Sequence, residues 1–448
     1  MFAFIGRCMQ MSIASMIMCR NETNLYTTII DSVHNIKSGE YIHATLEQPD
    51  ARFRKYNIGI LFSRSFKKDM SVPGRRLNTM IRSNVLTLRI AYTDSEPAST
   101  PEELHDGFWN DTRKRSVSSI FHESSYGKAP FDEETSVVAT VRLNASIEST
   151  HTGGCDIEPM FELAVPAVTE AGIDFSDFTH IQYILPPDYG STCNWEGLSL
   201  TACSIPGEYI FENCFSVLRN ATVFARAHEL GHNFGMFHAA GCGLAQGECL
   251  SLSSTPYGDA TAIMGGAHNG DQTGGFIAPN RINMGWMDNI TDGSLDGTYE
   301  ISALSEWPSP ENAAIRIPIA CPVSAQMGNA CEIIVSYRTP TRIDSAIADI
   351  FDYTISVHLK SATELGITLL LISLRLGDSY QLPNGKVLFV CQTYTDGATI
   401  VLGKDGDVKA VCDAAATDST AIIIGVVAAV FVSLFGGMAC TYAYRVRK

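Results

Sequence analysis

No Cys-x-x-Cys pair occurs anywhere in this chain of 448 residues, although it holds 13 cysteines. That absence removes the spacing that thiolate metal clusters ordinarily use. Basic residues are also in deficit, with 32 Lys and Arg against 48 Asp and Glu, a net charge of −16. A nucleic-acid partner would call for clustered positive charge, so none is expected. Internal repeats and low-complexity tracts are missing as well. With 45% hydrophobic residues the chain can build real cores, which excludes wholesale disorder. At this length two or three domains are expected.

What is present points to an oxidising compartment. Cys8 and Cys19 lie near the N-terminus and Cys440 in a late apolar run. The ten between them are Cys155, Cys193, Cys203, Cys214, Cys242, Cys249, Cys321, Cys331, Cys391 and Cys412. An even count with close pairs such as Cys242/Cys249 and Cys321/Cys331 suits disulfides. Five Asn-x-Ser/Thr sequons start at Asn21, Asn110, Asn144, Asn220 and Asn289, and as a group they support secretion.

The two ends set the expected topology. Ala421 to Tyr444 carries no charge, and as a helix it would run about 36 Å, enough to span a bilayer with some tilt. Arg445, Arg447 and Lys448 follow at once, while Asp413 and Asp418 precede it. Positive charge stays cytoplasmic, so the expectation is a single-pass type I protein of the cell membrane, with 445–448 as its cytoplasmic tail. Residues 1–19 read as a signal peptide with a weak apolar stretch, or as the product of a misplaced start codon. Residues 20–83 are polar and close on the dibasic Arg75-Arg76; they read as a prosegment or an N-terminal subdomain.

Between these ends the pattern is α+β. Strand signals lie at Val85–Ala91, Val137–Leu143 and Phe178–Leu185. Pro101–Phe121 reads as one helix with Glu102 and Glu103 in its first turn, and a long helix is expected from near Ser216. From about Thr291 the chain changes to short strands, at Ala314–Ile319, Glu332–Tyr337, Tyr353–Leu359 and Lys386–Val390. The expected division is therefore a catalytic domain over 84–290, a mixed sheet with an active-site helix, and a β-rich sandwich-like domain over 291–412. His180 and His358 fall in strand patterns and are expected to be exposed or satisfied there.

The chemistry concentrates in His228-Glu-Leu-Gly-His232-Asn-Phe-Gly235-Met-Phe-His238. Residues four apart share one helix face, so His228 and His232 can hold one metal ion without rearrangement. Glu229 stands one position on, beside the ion but off the ligand face, where a base that polarises water belongs. Gly235 permits a positive φ, which ends the helix and returns His238 to the same ion. Three neutral imidazoles suit Zn2+ and leave a position for water, the mark of a catalytic site.

This pattern resembles that of the metzincins, in which a methionine after the third histidine forms an apolar floor beneath the ligands. Met264, in Tyr257-Gly-Asp-Ala-Thr-Ala-Ile-Met264-Gly, stands where that resemblance places it. Among metzincins the chain is most similar to the gametolysin-type peptidases, over about Asn84 to Cys412. The supporting segments are Ser124-Ser-Tyr-Gly-Lys128, His238-Ala-Ala-Gly, Tyr257-Gly-Asp259, Pro279 to Trp286 and Ser336-Tyr-Arg-Thr-Pro340. The resemblance implies a zinc endopeptidase acting on proteins or glycoproteins, with Glu229 as general base. Some metzincins carry a tyrosine two residues after the methionine; here that position is Gly266, so a four-coordinate site without a tyrosine switch is expected. The rival reading is a catalytically silent adhesion or receptor protein with a peptidase fold. Retention of Glu229 beside all three histidines counts against it, since a binding module has no use for that carboxylate.

Overall fold

The computed structural model describes six strands within residues 2–69, and then residues 83–413 apart from 111–114, 151–154, 156, 191–194, 206–207, 210–213, 242–255, 267–273, 323–326, 328, 363–365 and 367. The first strands, β1 (Phe2–Gln10), β2 (Met16–Arg20), β3 (Leu25–Ile29), β4 (Tyr41–Leu46), β5 (Ile58–Ile60) and β6 (Ser63–Asp69), form one sheet ordered β5-β3-β2-β1-β4-β6. Arg7 pairs with Arg20 in it, so the pairing runs across the boundary drawn between residues 19 and 20.

The next unit is built on a five-stranded sheet. Its strands β7 (Val85–Ala91), β8 (Val137–Arg142) and β9 (His180–Ile184) are parallel to one another. Next come β10 (Gly197–Ser199), the short ribbon of β11 (Ser204–Ile205) and β12 (Glu208–Tyr209), and β13 (Cys214–Leu218). The sheet order is β10-β13-β9-β7-β8, with β10 antiparallel at the edge. A parallel sheet covered on both faces buries its central strands, and every residue of β9 is buried, its polar His180 and Gln182 included.

Period-two alternation divides β7 between the faces. Leu86, Leu88 and Ile90 pack with Met160, Ala164 and Val168 of one helix, whereas Thr87 faces the opposite layer and accepts from Arg226 at 3.0 Å. The helices are α1 (Pro101–Trp109), α2 (Val117–Ser124), α3 (Ile147–Thr150), α4 (Glu158–Glu170) and α5 (Val223–Asn233). The single helix expected over Pro101–Phe121 is therefore two. Each has its own capping box, Thr100 with Glu103 and Ser116 with Ser119, which satisfies the orphan amides of two separate starts.

The long helix expected from near Ser216 is also corrected. Cys214–Leu218 is a strand parallel to β9, with Phe215 opposite Ile181 and Val217 opposite Tyr183. Its aromatic and β-branched side chains fit a buried pleated surface. The chain turns at Asn220, and the Thr222 hydroxyl accepts from the Ala225 amide at 3.1 Å, so the helix begins only at Val223.

Beyond α5 lie β14 (Ala239–Gly241), α6 (Ala278–Asn283), β15 (Ile290–Asp292), β16 (Gly297–Ser302), β17 (Ala314–Ala320), β18 (Ala330–Arg338), β19 (Thr354–Ser361), β20 (Thr368–Leu374), β21 (Ser379–Gln381), β22 (Val387–Thr393) and β23 (Gly397–Gly403). They make two sheets, β14-β20-β19-β18-β17-β15 and β16-β23-β22-β21, that share one apolar core. The molecule is thus a mixed α+β protein of several sheets and few helices. Strand β14 follows the histidine motif directly, yet it pairs in parallel with β20, Ala239 opposite Thr368. Segments 84–290 and 291–412 therefore share a sheet.

Disulfides join Cys203–Cys214, Cys321–Cys331 and Cys391–Cys412; residues 242–255, with Cys242 and Cys249, lie outside the described residues. The sequon asparagines Asn144, Asn220 and Asn289 are exposed. Among the described residues no helix is long and apolar enough to cross a membrane, and the expected span 421–444 lies outside them.

Candidate active site

Helix α5 carries the first two histidines, and its seat on the sheet is unusual. Arg226, fully buried, donates from Nε to Gln182 at 2.9 Å and from Nη2 to Thr87 at 3.0 Å, and its Nη1 reaches the Leu104 carbonyl. A buried guanidinium without those acceptors would cost several kcal/mol, so the network fixes the rotation of the helix about its axis. Two residues on, His228 faces away from the sheet.

The helix ends at Asn233, and Gly235 adopts φ +95°. A side chain there would be strained, and the reversal brings His238 back over the helix. The Asn233 amide closes the same end by donating to the Leu200 carbonyl at 2.8 Å and the Phe215 carbonyl at 3.1 Å.

One donor atom from each of His228, His232 and His238 lies within 4.8 Å of the other two. His232 Nε2 and His238 Nε2 are 3.1 Å apart. The other ring nitrogens of the helical pair are committed elsewhere: His228 Nδ1 lies 2.8 Å from the Ile263 carbonyl and His232 Nδ1 2.8 Å from the Met236 carbonyl. A carbonyl can only accept, so each Nδ1 carries the proton and each Nε2 presents a lone pair to the shared point. Burial also holds the rings neutral, pulling His228 down to about 4 and His238 to about 3, and His232 well below its usual range. The arrangement fits a divalent metal that prefers imidazole nitrogen.

Met264 is fully buried under this group. A Cβ added to Gly231 would come within 2.4 Å of the Met264 sulfur and 3.1 Å of Phe276, so the glycine between the two helical histidines admits the thioether. Phe276, Phe234, Phe121 and Trp286 continue this apolar floor.

Glu229 is as buried as His228 and more so than His238. Its Oε2 has no hydrogen-bond partner among the described residues. Burial raises the carboxyl to about 8, and the nearby Ser199 hydroxyl on β10 pulls it back in part, though no hydrogen bond of regular geometry joins the two. A cation at the histidines would favour the carboxylate. Gly197 passes so close that a Cβ there would lie 2.5 Å from Oε1. The Ala202 amide donates to the His232 carbonyl at 2.7 Å, tying the edge-strand segment to the helix.

Three contacts were not foreseen from the sequence. The ring of Tyr257 lies 4.1 Å from that of His238 and 6.1 Å from that of His228, centroid to centroid. Gly266 donates its amide to the Tyr257 carbonyl at 2.7 Å, so the loop folds back on itself around Met264. Asp259, in that loop, is fully buried with Oδ2 3.0 Å from Nε2 of the equally buried His358 on β19. Its Oδ1 accepts from the Thr261 amide and hydroxyl at 2.9 and 2.6 Å. His358, expected to be exposed or satisfied, is buried and partnered through Nε2 by a residue 99 positions away, while its Nδ1 has no hydrogen-bond partner among the described residues. The segment Tyr257-Gly-Asp259 was legible only as part of a resemblance; nothing local marks its side chains for these positions.

Residues 82–368, nearly two thirds of the chain, match the family model described as gametolysin peptidase M11. No curated protein and no solved structure matches the chain.

Proposed function

We infer the function from the family the match identifies: this chain belongs to the gametolysin peptidases, family M11, and is a metallopeptidase. We propose that it is a zinc endopeptidase whose ion is held by His228, His232 and His238. The observation that carries this reading is the convergence of three neutral imidazole donors beside one buried carboxylate. Zinc, when bound, supplies Lewis acidity that polarises the scissile carbonyl and makes water nucleophilic near neutral pH.

The chain's own groups do the rest. Glu229 accepts the proton of the attacking water through its unpartnered oxygen and hands it to the departing amine. The neighbouring wall at Gly197, with no side chain, keeps that carboxylate clear on the side of β10. Met264 excludes water from beneath the histidines. Extracellular proteins or glycoproteins are the proposed substrates, in keeping with the disulfides and the exposed sequon asparagines. The proposed organisation keeps 84–290 as the catalytic part, with 291–412 completing it. Residues 421–444 are proposed as a type I membrane anchor on the strength of their uncharged sequence.

Casein or peptide cleavage with and without a chelator tests this reading. Activity should vanish on chelation and return with zinc. Glu229→Ala should keep about one equivalent of zinc while turnover falls by at least ~10²-fold; His232→Ala should lose both. Appreciable cleavage by the Glu229→Ala protein would sink the assignment.

A further inference from the structure

The position two residues after Met264 is a glycine, yet the structure does not leave an aromatic ring out of the site. Tyr257 arrives from the other arm of the same loop. Its carbonyl accepts from the Gly266 amide at 2.7 Å, and a Cβ on Gly266 would come within 2.7 Å of that carbonyl oxygen and 3.7 Å of the Tyr257 Cβ. A side chain at 266 and Tyr257 in its present place are therefore mutually exclusive. The approach of the backbones behind the ring is equally close: a Cβ on Gly258 would meet the Gly241 carbonyl oxygen at 2.2 Å. These glycines hold the base of the Tyr257 side chain against β14, directly after His238.

The ring is half exposed, unlike the ligands it touches. It covers His238 at 4.1 Å, closer than any other aromatic contact of the triad, and leans toward His228. A half-exposed tyrosine with a pinned backbone, leaning over two of the three histidines, has the position of a hydrogen-bond donor to substrate.

We propose that Tyr257 is a further catalytic residue of the peptidase reaction proposed above, on which this inference rests. Its hydroxyl donates a hydrogen bond to the scissile carbonyl oxygen as water adds to the carbon. In that step the C–O bond to water forms, the carbonyl π pair moves onto oxygen, and Glu229 takes the water proton. Tyr257 keeps its own proton throughout; only the hydrogen bond strengthens as the oxygen becomes anionic. The donor reaches the site from before the methionine rather than after it.

Tyr257→Phe tests this, because the ring on His238 is retained and only the hydroxyl is lost. Two measurements are made on zinc-loaded wild type and variant: kcat and KM on one peptide, and calorimetric affinity for a phosphinic peptide that mimics the tetrahedral adduct. A buried oxyanion donor is worth roughly 10²–10³-fold in kcat; for a half-exposed phenol a fall of about 10–10²-fold is expected, with KM and zinc affinity unchanged. Phosphinic-peptide affinity should fall by a similar factor. Unchanged kcat and unchanged inhibitor affinity would overturn the proposal and show that the ring only covers His238. Were the wild type to bind zinc but cleave nothing, the peptidase reading would fail and this inference with it, whereas a cleaving wild type matched by an equally active and equally inhibited Tyr257→Phe would overturn the role of Tyr257 alone.

Discussion

Replacing His358 by alanine strikes the candidate metal site from a strand with no place in the histidine motif. Asp259 is fully buried, and its Oδ2 has His358 Nε2 as partner at 3.0 Å. Burial alone would raise this carboxyl; the His358 contact and the Thr261 donors hold it below its usual value. Removing one member of a buried pair commonly costs about 3–5 kcal/mol, because the other is left uncompensated. The loss should reach the third ligand through short links. The Asp259 amide donates to the Ala239 carbonyl at 3.2 Å, and the Ala239 amide donates to the Met264 carbonyl at 2.7 Å. Ala239 follows His238 and opens β14, which is held by β20. Supports of this kind typically change metal affinity by about 10–100-fold. We expect His358→Ala to lower stability by about 3–5 kcal/mol in denaturant melts, and to weaken zinc by about 10–100-fold in chelator competition. Asp259→Asn combined with His358→Ala should cost less than the sum of the two singles. A stability loss under about 1 kcal/mol with unchanged zinc affinity would refute the reasoning.

Gly231→Ala should cost about 1–3 kcal/mol through overpacking, because the new methyl meets the Met264 sulfur; a Met264→Ala background should recover part of that loss in thermal melts. Burial pulls the His180 imidazole down to about 3, whereas the unfolded chain titrates near 6.5. Below about pH 6.5 the unfolded state therefore takes up a proton the folded state refuses, and stability falls toward pH 3 by up to about 1.4 kcal/mol per unit. The difference in stability between wild type and His180→Gln should be flat above pH 7 and slope below 6.5; a flat difference throughout would contradict the assignment. An epitope placed after Lys448 should stain only permeabilised cells, and staining of intact cells would end the type I reading. Substitution of the exposed sequon asparagines Asn144, Asn220 and Asn289 should remove glycosidase-sensitive mass, which gel mobility would show.

Much of the three-histidine site was legible in the sequence because its determinants are local. Four-residue spacing puts His228 and His232 on one helix face whatever the rest of the chain does, and Gly235 carries the reversal to His238 within six residues. The strand Val85–Ala91, and His180–Ile184 within the expected Phe178–Leu185, were legible for a related reason: bulky apolar side chains alternate there with polar ones at the period of a strand. Where local pattern misled, a distant partner had decided. Cys214–Leu218 is a strand because β9 stands beside it, and the helix start is displaced to the Thr222 cap. Only tertiary structure could bring His358 to Asp259, pair the three residues after His238 with β20, or fold Tyr257 over His238. Those contacts join residues that share no period and no spacing. Their geometry comes from chain closure around two cores, and from glycines at 231, 241, 258 and 266 that let backbone and sulfur approach where any side chain would stand in the way.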